Sequence, residues 1–136
     1  MTPLLLLTHG EFGALLLRAA EGMYGPQTAA RALALESEET REAFTERVQE
    51  AAAQLGQPPL VLVDLACGTP WNAALLAGLA TEGEVLGGLS LPLLLEALSL
   101  RQDLDPKALG AELAQRGAQC FARASELLKR GQGDCA

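Results

Sequence analysis

Two side chains that could do chemistry stand where apolar runs of the sequence stop. His9, the only histidine among the 136 residues, follows shortly after the apolar run 4–7. Asp64 directly follows a second apolar run, residues 60–63. A carboxylate beside an imidazole accepts the proton of one ring nitrogen and leaves the other as a nucleophile, which phosphoryl transfer requires. Metal sites and esterases use the same pair, so these two residues alone leave the chemistry open.

Small and hydroxyl residues flank both side chains, and a helix is expected to begin just after each of them. Free backbone amides at a helix start carry partial positive charge, and glycine lets an anion approach the backbone closely. Taken singly, each such residue more often serves only a turn or a cap. Neither loop contains an arginine or a lysine, so we predict that backbone amides form a phosphate pocket. Its candidate residues are Thr8, Gly10, Cys67, Gly68 and Thr69.

Several other classes of site fail on spacing. Histidine phosphatases and mutases carry arginine directly before the histidine, where this chain has Thr8. Cysteine phosphatases need an arginine that would fall at Ala73, and the chain has neither a G-x-S-x-G elbow nor a P-loop. One histidine and three cysteines without metal-type spacing predict no metal site. Cys67 is expected to be an inert, partly buried thiol rather than a reactive one.

The elements that must position these residues follow from the apolar pattern. Short, continuously apolar runs are typical of strands buried on both faces, and apolar residues three or four positions apart are typical of helices. Thr69 is predicted to cap its helix, with Pro70 at the first helical position, and Asp105 to cap the last helix. We predict strands at about residues 4–8, 30–35, 60–64 and 84–89, and helices at about 12–24, 38–55, 70–81, 92–100 and 106–130.

Strands that alternate with helices predict an α/β fold, here three layers (α/β/α) with a mostly parallel four-stranded sheet and helices on both faces. We expect the flavodoxin-like strand order 2-1-3-4, in which strands one and three are neighbours and the chain reverses direction between them. Ligands bind beyond the carboxyl ends of the strands at such a switch point. This topology by itself would bring His9 and Asp64 together.

Length and composition indicate one globular domain over residues 1–136. The chain is 49% hydrophobic and 20% charged, and its apolar stretches are too short to cross a bilayer. Its start lacks the charges and cleavage site of a secretory signal, so we expect a cytoplasmic protein with reduced thiols and no direct membrane insertion. The net charge of −7 argues against a nucleic-acid partner and suits a basic protein partner.

Three segments resemble, in order and spacing, the motifs of the mannose-type enzyme IIA domain of the sugar phosphotransferase system. They are LLLLTHGEFG, LVLVDLACGTPWNAA and VLGGLSLPLLLEALSLR, and the similarity extends over nearly the whole chain. The second segment is the most specific, because an aspartate, a glycine, a small hydroxyl residue, a proline and Asn-Ala-Ala follow in the family's arrangement. The resemblance implies a parallel four-stranded α/β fold, a homodimer, and no metal or organic cofactor.

The resemblance also implies roles for the candidate residues. His9 would accept a phosphoryl group from the phosphohistidine of the small carrier HPr and pass it to a IIB component for sugar uptake. Asp64 would orient His9, and Thr69 would be the hydroxyl residue of the phosphate-side loop. Transfer between two histidines is close to energetically neutral, so the protein's task would be positioning and charge stabilisation.

The chain departs from the family pattern in two places, which keeps other functions open. Cys67-Gly68 stands where the family often has two glycines, and Leu65-Ala66 replaces a tryptophan-containing turn. A docking partner different from that of the family is therefore one of the open possibilities. The polar, glycine-rich residues 129–136 do not favour the C-terminal strand exchange of some family dimers. The alternatives are a regulatory module whose phosphorylation state signals without sugar transport, and an anion-binding domain without phosphoryl transfer.

Overall fold

One parallel sheet of four strands forms the centre of the molecule. The computed structural model describes residues 1–131. The strand order β2-β1-β3-β4, with every pairing parallel, confirms the predicted fold class. The strand β1 includes His9, β3 stops one residue before Asp64, and β4 ends two residues earlier than predicted. The strands are β1 (Leu4–His9), β2 (Ala30–Leu35), β3 (Leu60–Val63) and β4 (Glu84–Gly87).

Helices cover both faces of the sheet. They are α1 (Phe12–Tyr24), α2 (Arg41–Leu55), α3 (Thr69–Leu76), α4 (Leu91–Leu100), α5 (Pro106–Arg116) and α6 (Ala124–Lys129). The helices α1, α4 and α5 pack on the face that contains Leu4 and Leu6, and α2 and α3 pack on the face that contains Leu5 and Leu7. A strand between two helical layers has no side that faces water, which explains the continuously apolar run in β1. Within residues 1–131, no helix is both long enough and apolar enough to cross a membrane.

Side-chain caps fix the starts of α2 and α5, and Ser90 caps α4 in the same way. The hydroxyl of Thr40 accepts the backbone N–H of Ala43 at 3.1 Å, so α2 begins three residues later than predicted from its charged leader. The carboxylate of Asp105 accepts the backbone N–H of Ala108 at 2.8 Å, which confirms the predicted cap of α5. Each of these bonds satisfies a backbone donor that the first helical turn leaves free.

The helix α3 differs from the prediction at both ends. It begins at Thr69 with Gly68 as its cap residue, so the predicted capping role of Thr69 is wrong. It ends at Leu76 because Gly78 adopts a left-handed conformation with φ of +77°. The N–H groups of Gly78 and Leu79 then donate to carbonyls of the last helical turn. This pair of bonds is a Schellman motif, which stops a helix, so the predicted continuation to residue 81 is also wrong.

The final predicted helix is broken. The helix α5 ends at Arg116, a 3₁₀ turn (Gly117–Cys120) follows, and α6 begins only after three further residues. The apolar stripe contacts the core as far as Leu113, whereas Phe121 is 85% exposed. Beyond Leu113 the apolar stripe no longer packs on the sheet, and Gly117, which follows α5, is a poor helix former. The α-helical conformation is therefore not maintained.

Arg101 is buried at the amino edge of the sheet, where it follows α4 and is only 2% exposed. Its guanidinium donates to the backbone carbonyls of Thr28 and Ala29, at 2.8 and 2.9 Å, and to the side-chain carbonyl of Gln27 at 3.0 Å. The backbone N–H of Thr2 donates to the carbonyl of Arg101 at 3.0 Å. Burial lowers the pKa of Arg101, because the surrounding acceptors replace water only in part. Arg101 therefore holds the loop before β2 through its side chain and the start of β1 through its main chain.

Candidate functional site

His9 and Asp64 meet at the carboxyl edge of the sheet. The ring nitrogen Nδ1 of His9 lies 2.9 Å from Oδ2 of Asp64, and the same oxygen accepts the backbone N–H of His9, also at 2.9 Å. The side chain of His9 is 50% exposed and that of Asp64 is 16% exposed. Because a carboxylate only accepts hydrogen bonds, Nδ1 carries a proton, and in the neutral ring Nε2 is the nitrogen with the lone pair. The predicted meeting of the two side chains is confirmed.

The strand register explains why these residues meet. The strands β1 and β3 are parallel neighbours, with Leu7 paired to Val63 in the last step of their ladder. Asp64 therefore begins the loop at the point where this pairing ends, and His9 lies two positions beyond Leu7. Because side chains alternate along a strand, His9 projects toward the same face as Leu5 and Leu7, which is the face covered by α3.

The loop of residues 64–68 packs tightly against the imidazole. A Cβ added at Gly68 would lie 3.3 Å from Cε1 of His9, so glycine lets the backbone lie against the ring edge between the two nitrogens. A Cβ added at Gly87 would lie 2.9 Å from Cβ of Ala66, so the end of β4 accommodates this loop only with glycine. The sequence identified Gly68 as a site residue but not Gly87, whose only signal was a glycine pair inside the predicted fourth strand.

Cys67 occupies the loop in a left-handed backbone conformation, with φ of +68°. This region favours glycine, which the family that the motifs resemble often has at this position, and another residue there costs about 1–2 kcal/mol. Cys67 is exposed, so the expectation of a partly buried thiol is wrong. Its neighbours Ala66 and Gly68 pack against β4 and His9, which leaves the side chain between them to project outward.

Thr8 and Gly10 are held by contacts within the protein. Thr8 is fully buried, and its hydroxyl donates to the carbonyl of Gly10 at 3.0 Å and accepts the N–H of Gly13 at 2.9 Å. The N–H of Gly10 donates to the carbonyl of Leu35 at 3.0 Å. A direct contact from either residue to a phosphate therefore stays a prediction. No sequence pattern pointed to Gly13, where a Cβ would lie 3.1 Å from Cγ2 of Thr8.

The other three residues of the predicted phosphate pocket lie at the start of α3. Gly68 is the cap residue and lies against His9, and Thr69 is the first helical residue. The first turn of a helix leaves its backbone N–H groups without helical partners, which favours a nearby anion. The structure thus places Cys67, Gly68 and Thr69 on the side of the sheet toward which His9 projects, and phosphate binding by them stays a prediction.

Exposed apolar and acidic residues neighbour His9 and Asp64 in the sequence or in the strand register. Phe12 is 43% exposed and Leu65 is 60% exposed, and each is close to His9 or Asp64 in the chain. Glu11 and Glu36 are also exposed, and Glu36 follows the β2 residue that pairs with His9. Within residues 1–131, no group of three or more His, Cys, Asp or Glu side chains could hold a metal ion. The site offers a nucleophilic ring nitrogen, a carboxylate and a helix start.

The sequence and the fold have counterparts among known proteins. Residues 3–114 match the EIIA-man family, described as the fructose IIA component of the phosphotransferase system (PTS). The PTS sorbose-specific EIIA component of Klebsiella pneumoniae is 30% identical over 115 residues, which cover 82% of this chain and 84% of that protein. The PTS fructose-specific EIIA component of Bacillus subtilis (strain 168) is 30% identical over 135 residues, or 96% of this chain and 91% of that protein.

A solved structure supports the same assignment. The mannose/sorbose-specific IIA subunit of the phosphotransferase system from Enterococcus faecalis superposes with a TM-score of 0.79 and is 27% identical in sequence. The superposition covers 90% of this chain and 95% of that structure. With the family match over most of its length, the chain belongs to the EIIA-man family and is an EIIA component of the sugar phosphotransferase system.

Proposed function

We propose that His9 is the residue that is phosphorylated in this EIIA component. The observation that carries the proposal is the 2.9 Å contact between Nδ1 of His9 and Oδ2 of Asp64 on a half-exposed ring. Asp64 holds the proton on Nδ1, which leaves a lone pair on Nε2 for attack on phosphorus. A bond forms between Nε2 and phosphorus as the bond from phosphorus to the donor nitrogen breaks, and that electron pair stays on the donor.

The phosphoryl donor in this proposal is a small HPr-like phosphocarrier, and the acceptor is a IIB component. Exposed Phe12 and Leu65 provide apolar contact area beside His9, and Glu11 and Glu36 provide negative charge. Such a surface suits a partner that presents an apolar patch flanked by basic groups. The net charge of −7 also favours a basic partner, because it attracts positive charge over a long range.

In the proposed transfer, the loop of Cys67, Gly68 and Thr69 stabilises the phosphoryl group. Neither this loop nor the turn after His9 contains an arginine or a lysine, so backbone N–H groups at the start of α3 must supply the positive potential. Transfer between two imidazoles changes the free energy little, and the rate therefore depends mainly on how well Nε2 and phosphorus are aligned. No metal or organic cofactor takes part in this proposal.

The proposal includes the setting of the protein: one IIA-like domain over residues 1–136, located in the cytoplasm and assembled as a homodimer. The alignments cover 84% and 91% of the two relatives, so one EIIA unit accounts for most of each. The expectation about strand exchange concerns residues 129–136, most of which lie outside the described residues. Light scattering that gives the mass of a single chain would contradict the dimer.

Phosphorylation in a reconstituted system tests the central claim. The protein is incubated with phosphoenolpyruvate, enzyme I and HPr, and we expect acid-labile, alkali-stable phosphate that approaches one per chain. His9→Ala should take up none, because the chain has no other histidine. Gln115→Ala, an exposed substitution on α5, is the matched control and should be labelled like the wild type. Equal labelling of His9→Ala and wild type would contradict the proposal.

The two alternatives that the sequence leaves open predict different results. A purely regulatory module is not favoured, because both relatives are named as sugar-specific EIIA components. An anion-binding domain would show reversible phosphate binding in phosphorus NMR and no transfer from phosphorylated HPr. A covalent phosphorus signal that appears only with the phosphorylated carrier would favour the phosphocarrier.

A further inference from the structure

Thr8 points away from the ring that it precedes. Leu4 and Leu6 belong to the core on the α1 side of the sheet, and Thr8 is the next residue on that face. Its side chain is fully buried and contacts the first turn of α1. His9 projects to the opposite face, toward Asp64. Thr8 can therefore influence His9 only through the backbone.

The hydroxyl of Thr8 bridges the turn that follows His9. It donates its only proton to the carbonyl of Gly10, at 3.0 Å, and accepts the N–H of Gly13 at 2.9 Å. The side chain of Glu11, the residue before α1, makes no capping hydrogen bond within residues 1–131. Thr8 thus supplies from β1 the capping bond that a residue at the helix start would usually make.

The same turn fixes the main chain of His9. The N–H of Gly10 donates to the carbonyl of Leu35 at 3.0 Å, and the N–H of His9 donates to Oδ2 of Asp64 at 2.9 Å. That oxygen can bond both Nδ1 and the N–H of His9 only while the backbone of His9 keeps its place. The proton of Thr8 is already committed to Gly10, so this residue has none to offer a phosphate oxygen.

We propose that Thr8 is a positioning residue that aligns His9 with Asp64, in place of the phosphate contact that the sequence suggested. The effect of Thr8 on the rate of phosphoryl transfer rests on the phosphorylation of His9 proposed above, whereas its effect on the tautomer of the imidazole does not. Without the hydroxyl, the N–H of Gly13 is buried without its partner and the turn relaxes. A displacement of the reacting group by about 1 Å can lower a rate on the order of 10²-fold.

Nitrogen NMR of the imidazole tests this role directly. His9 is the only histidine, so its ring signals report the tautomer without ambiguity. We expect wild type and Thr8→Ser to hold the proton on Nδ1, and Thr8→Val to shift toward the tautomer mixture of a free imidazole. With phosphorylated HPr as donor, kcat of Thr8→Val should fall about 10²-fold. Its KM should change less than about threefold, because the docking surface is untouched.

Thr2→Val is the matched control. Thr2 is 5% exposed, and its hydroxyl donates to the carbonyl of Leu104 at 2.6 Å, at the opposite edge of the sheet. This substitution removes a buried hydroxyl of the same kind, so it should lower stability while the ring signals and kcat stay those of the wild type. A loss of the Nδ1 tautomer in Thr2→Val as large as that in Thr8→Val would overturn the proposal.

The remaining outcomes also test the positioning role of Thr8. If Thr8→Val does not fold, the measurements are made on Thr8→Ala, which leaves room for a water molecule. If neither variant folds, Thr8 is structural and the proposal fails. A folded variant without the hydroxyl that keeps the wild-type tautomer and kcat overturns it, as does Thr8→Ser behaving like Thr8→Val. A wild-type protein that takes no phosphate from HPr would overturn the function of His9, and the tautomer shift would still decide the role of Thr8.

Discussion

Each of the two edges of the sheet holds one nitrogen-containing side chain by hydrogen bonds, with opposite results. At the carboxyl edge, the imidazole of His9 is bound by the carboxylate of Asp64 and is 50% exposed. At the amino edge, the guanidinium of Arg101 is bound by three carbonyl oxygens of residues 27–29 and is 2% exposed. One edge leaves a nitrogen free for chemistry, and the other seals its side chain inside the fold.

The difference lies in the type of partner and in access to water. A carboxylate fixes the proton of His9 on one nitrogen, so the other stays available. Neutral carbonyls around Arg101 orient its donors but do not balance its charge, and this burial lowers the pKa of Arg101. Hydrogen bonds alone therefore do not mark a functional site. Substitutions at the two edges should separate function from stability.

Asp64→Asn should have the largest effect, and that effect should fall on transfer. An amide carries no negative charge and can also donate a hydrogen bond, so it no longer fixes the proton on Nδ1. We therefore expect the rate of phosphoryl acceptance to fall about 10²–10⁴-fold. The free energy of unfolding should change little, because the side-chain oxygen of asparagine can still accept the backbone N–H of His9. Rapid-quench measurement with phosphorylated HPr gives the rate. Glu36→Gln, which neutralises an exposed carboxylate nearby, should stay within a few-fold of the wild type; equal losses in the two variants would refute the assigned role of Asp64.

Arg101→Ala should have the converse effect, on stability. Removal of the guanidinium leaves the carbonyls of residues 27–29 without their donors and opens a cavity, so we expect a loss of about 3 kcal/mol in urea unfolding. Phosphoryl acceptance should be retained wherever the variant is folded. Arg116→Ala is the control: that side chain makes surface ion pairs with Glu112 at 2.7 Å and Glu96 at 3.1 Å. If both arginines contributed similarly to stability, the contrast between buried and exposed positions would not hold.

Cys67→Gly should have the smallest effect, a gain in stability. Glycine relieves the left-handed conformation at φ of +68° but adds freedom to the unfolded chain, so the net gain should be about 0.5 kcal/mol. Cys67→Ala keeps the strain and should match the wild type. Urea unfolding of the three proteins measures the difference. A Cys67→Gly protein less stable than Cys67→Ala would show that this loop carries no backbone strain.

The sequence predicted the meeting of His9 and Asp64 for a topological reason. Both follow buried apolar runs, and the carboxyl ends of neighbouring parallel strands lie at one edge. The strand order 2-1-3-4 was expected from the alternation of strands with helices, whereas the cap at Asp105 was predicted from the local sequence Asp105-Pro106; the structure confirms both. The phosphate-pocket residues are near this edge as expected; apart from Thr8, for which we propose a positioning role, their contacts to a phosphate remain predictions.

Features that depend on contacts between distant segments could not be predicted. The exposure of Cys67 follows from the packing of its two neighbours, and the burial of Arg101 follows from a loop more than seventy residues earlier. The break after Arg116 occurs where the sheet no longer covers the apolar stripe, although the stripe itself continues in the sequence. Only the folded chain determines which side chains and surfaces these segments meet.

The shared oxygen of Asp64 has a kinetic consequence for a carrier. Because the main-chain N–H of His9 holds the same oxygen that binds its ring, the imidazole cannot swing between two docking positions without breaking its bond to Oδ2 of Asp64. A phosphoryl donor and a phosphoryl acceptor would then have to approach the same nitrogen from the same direction. They would compete for one place, so a complex of all three proteins would not form and exchange would follow ping-pong kinetics.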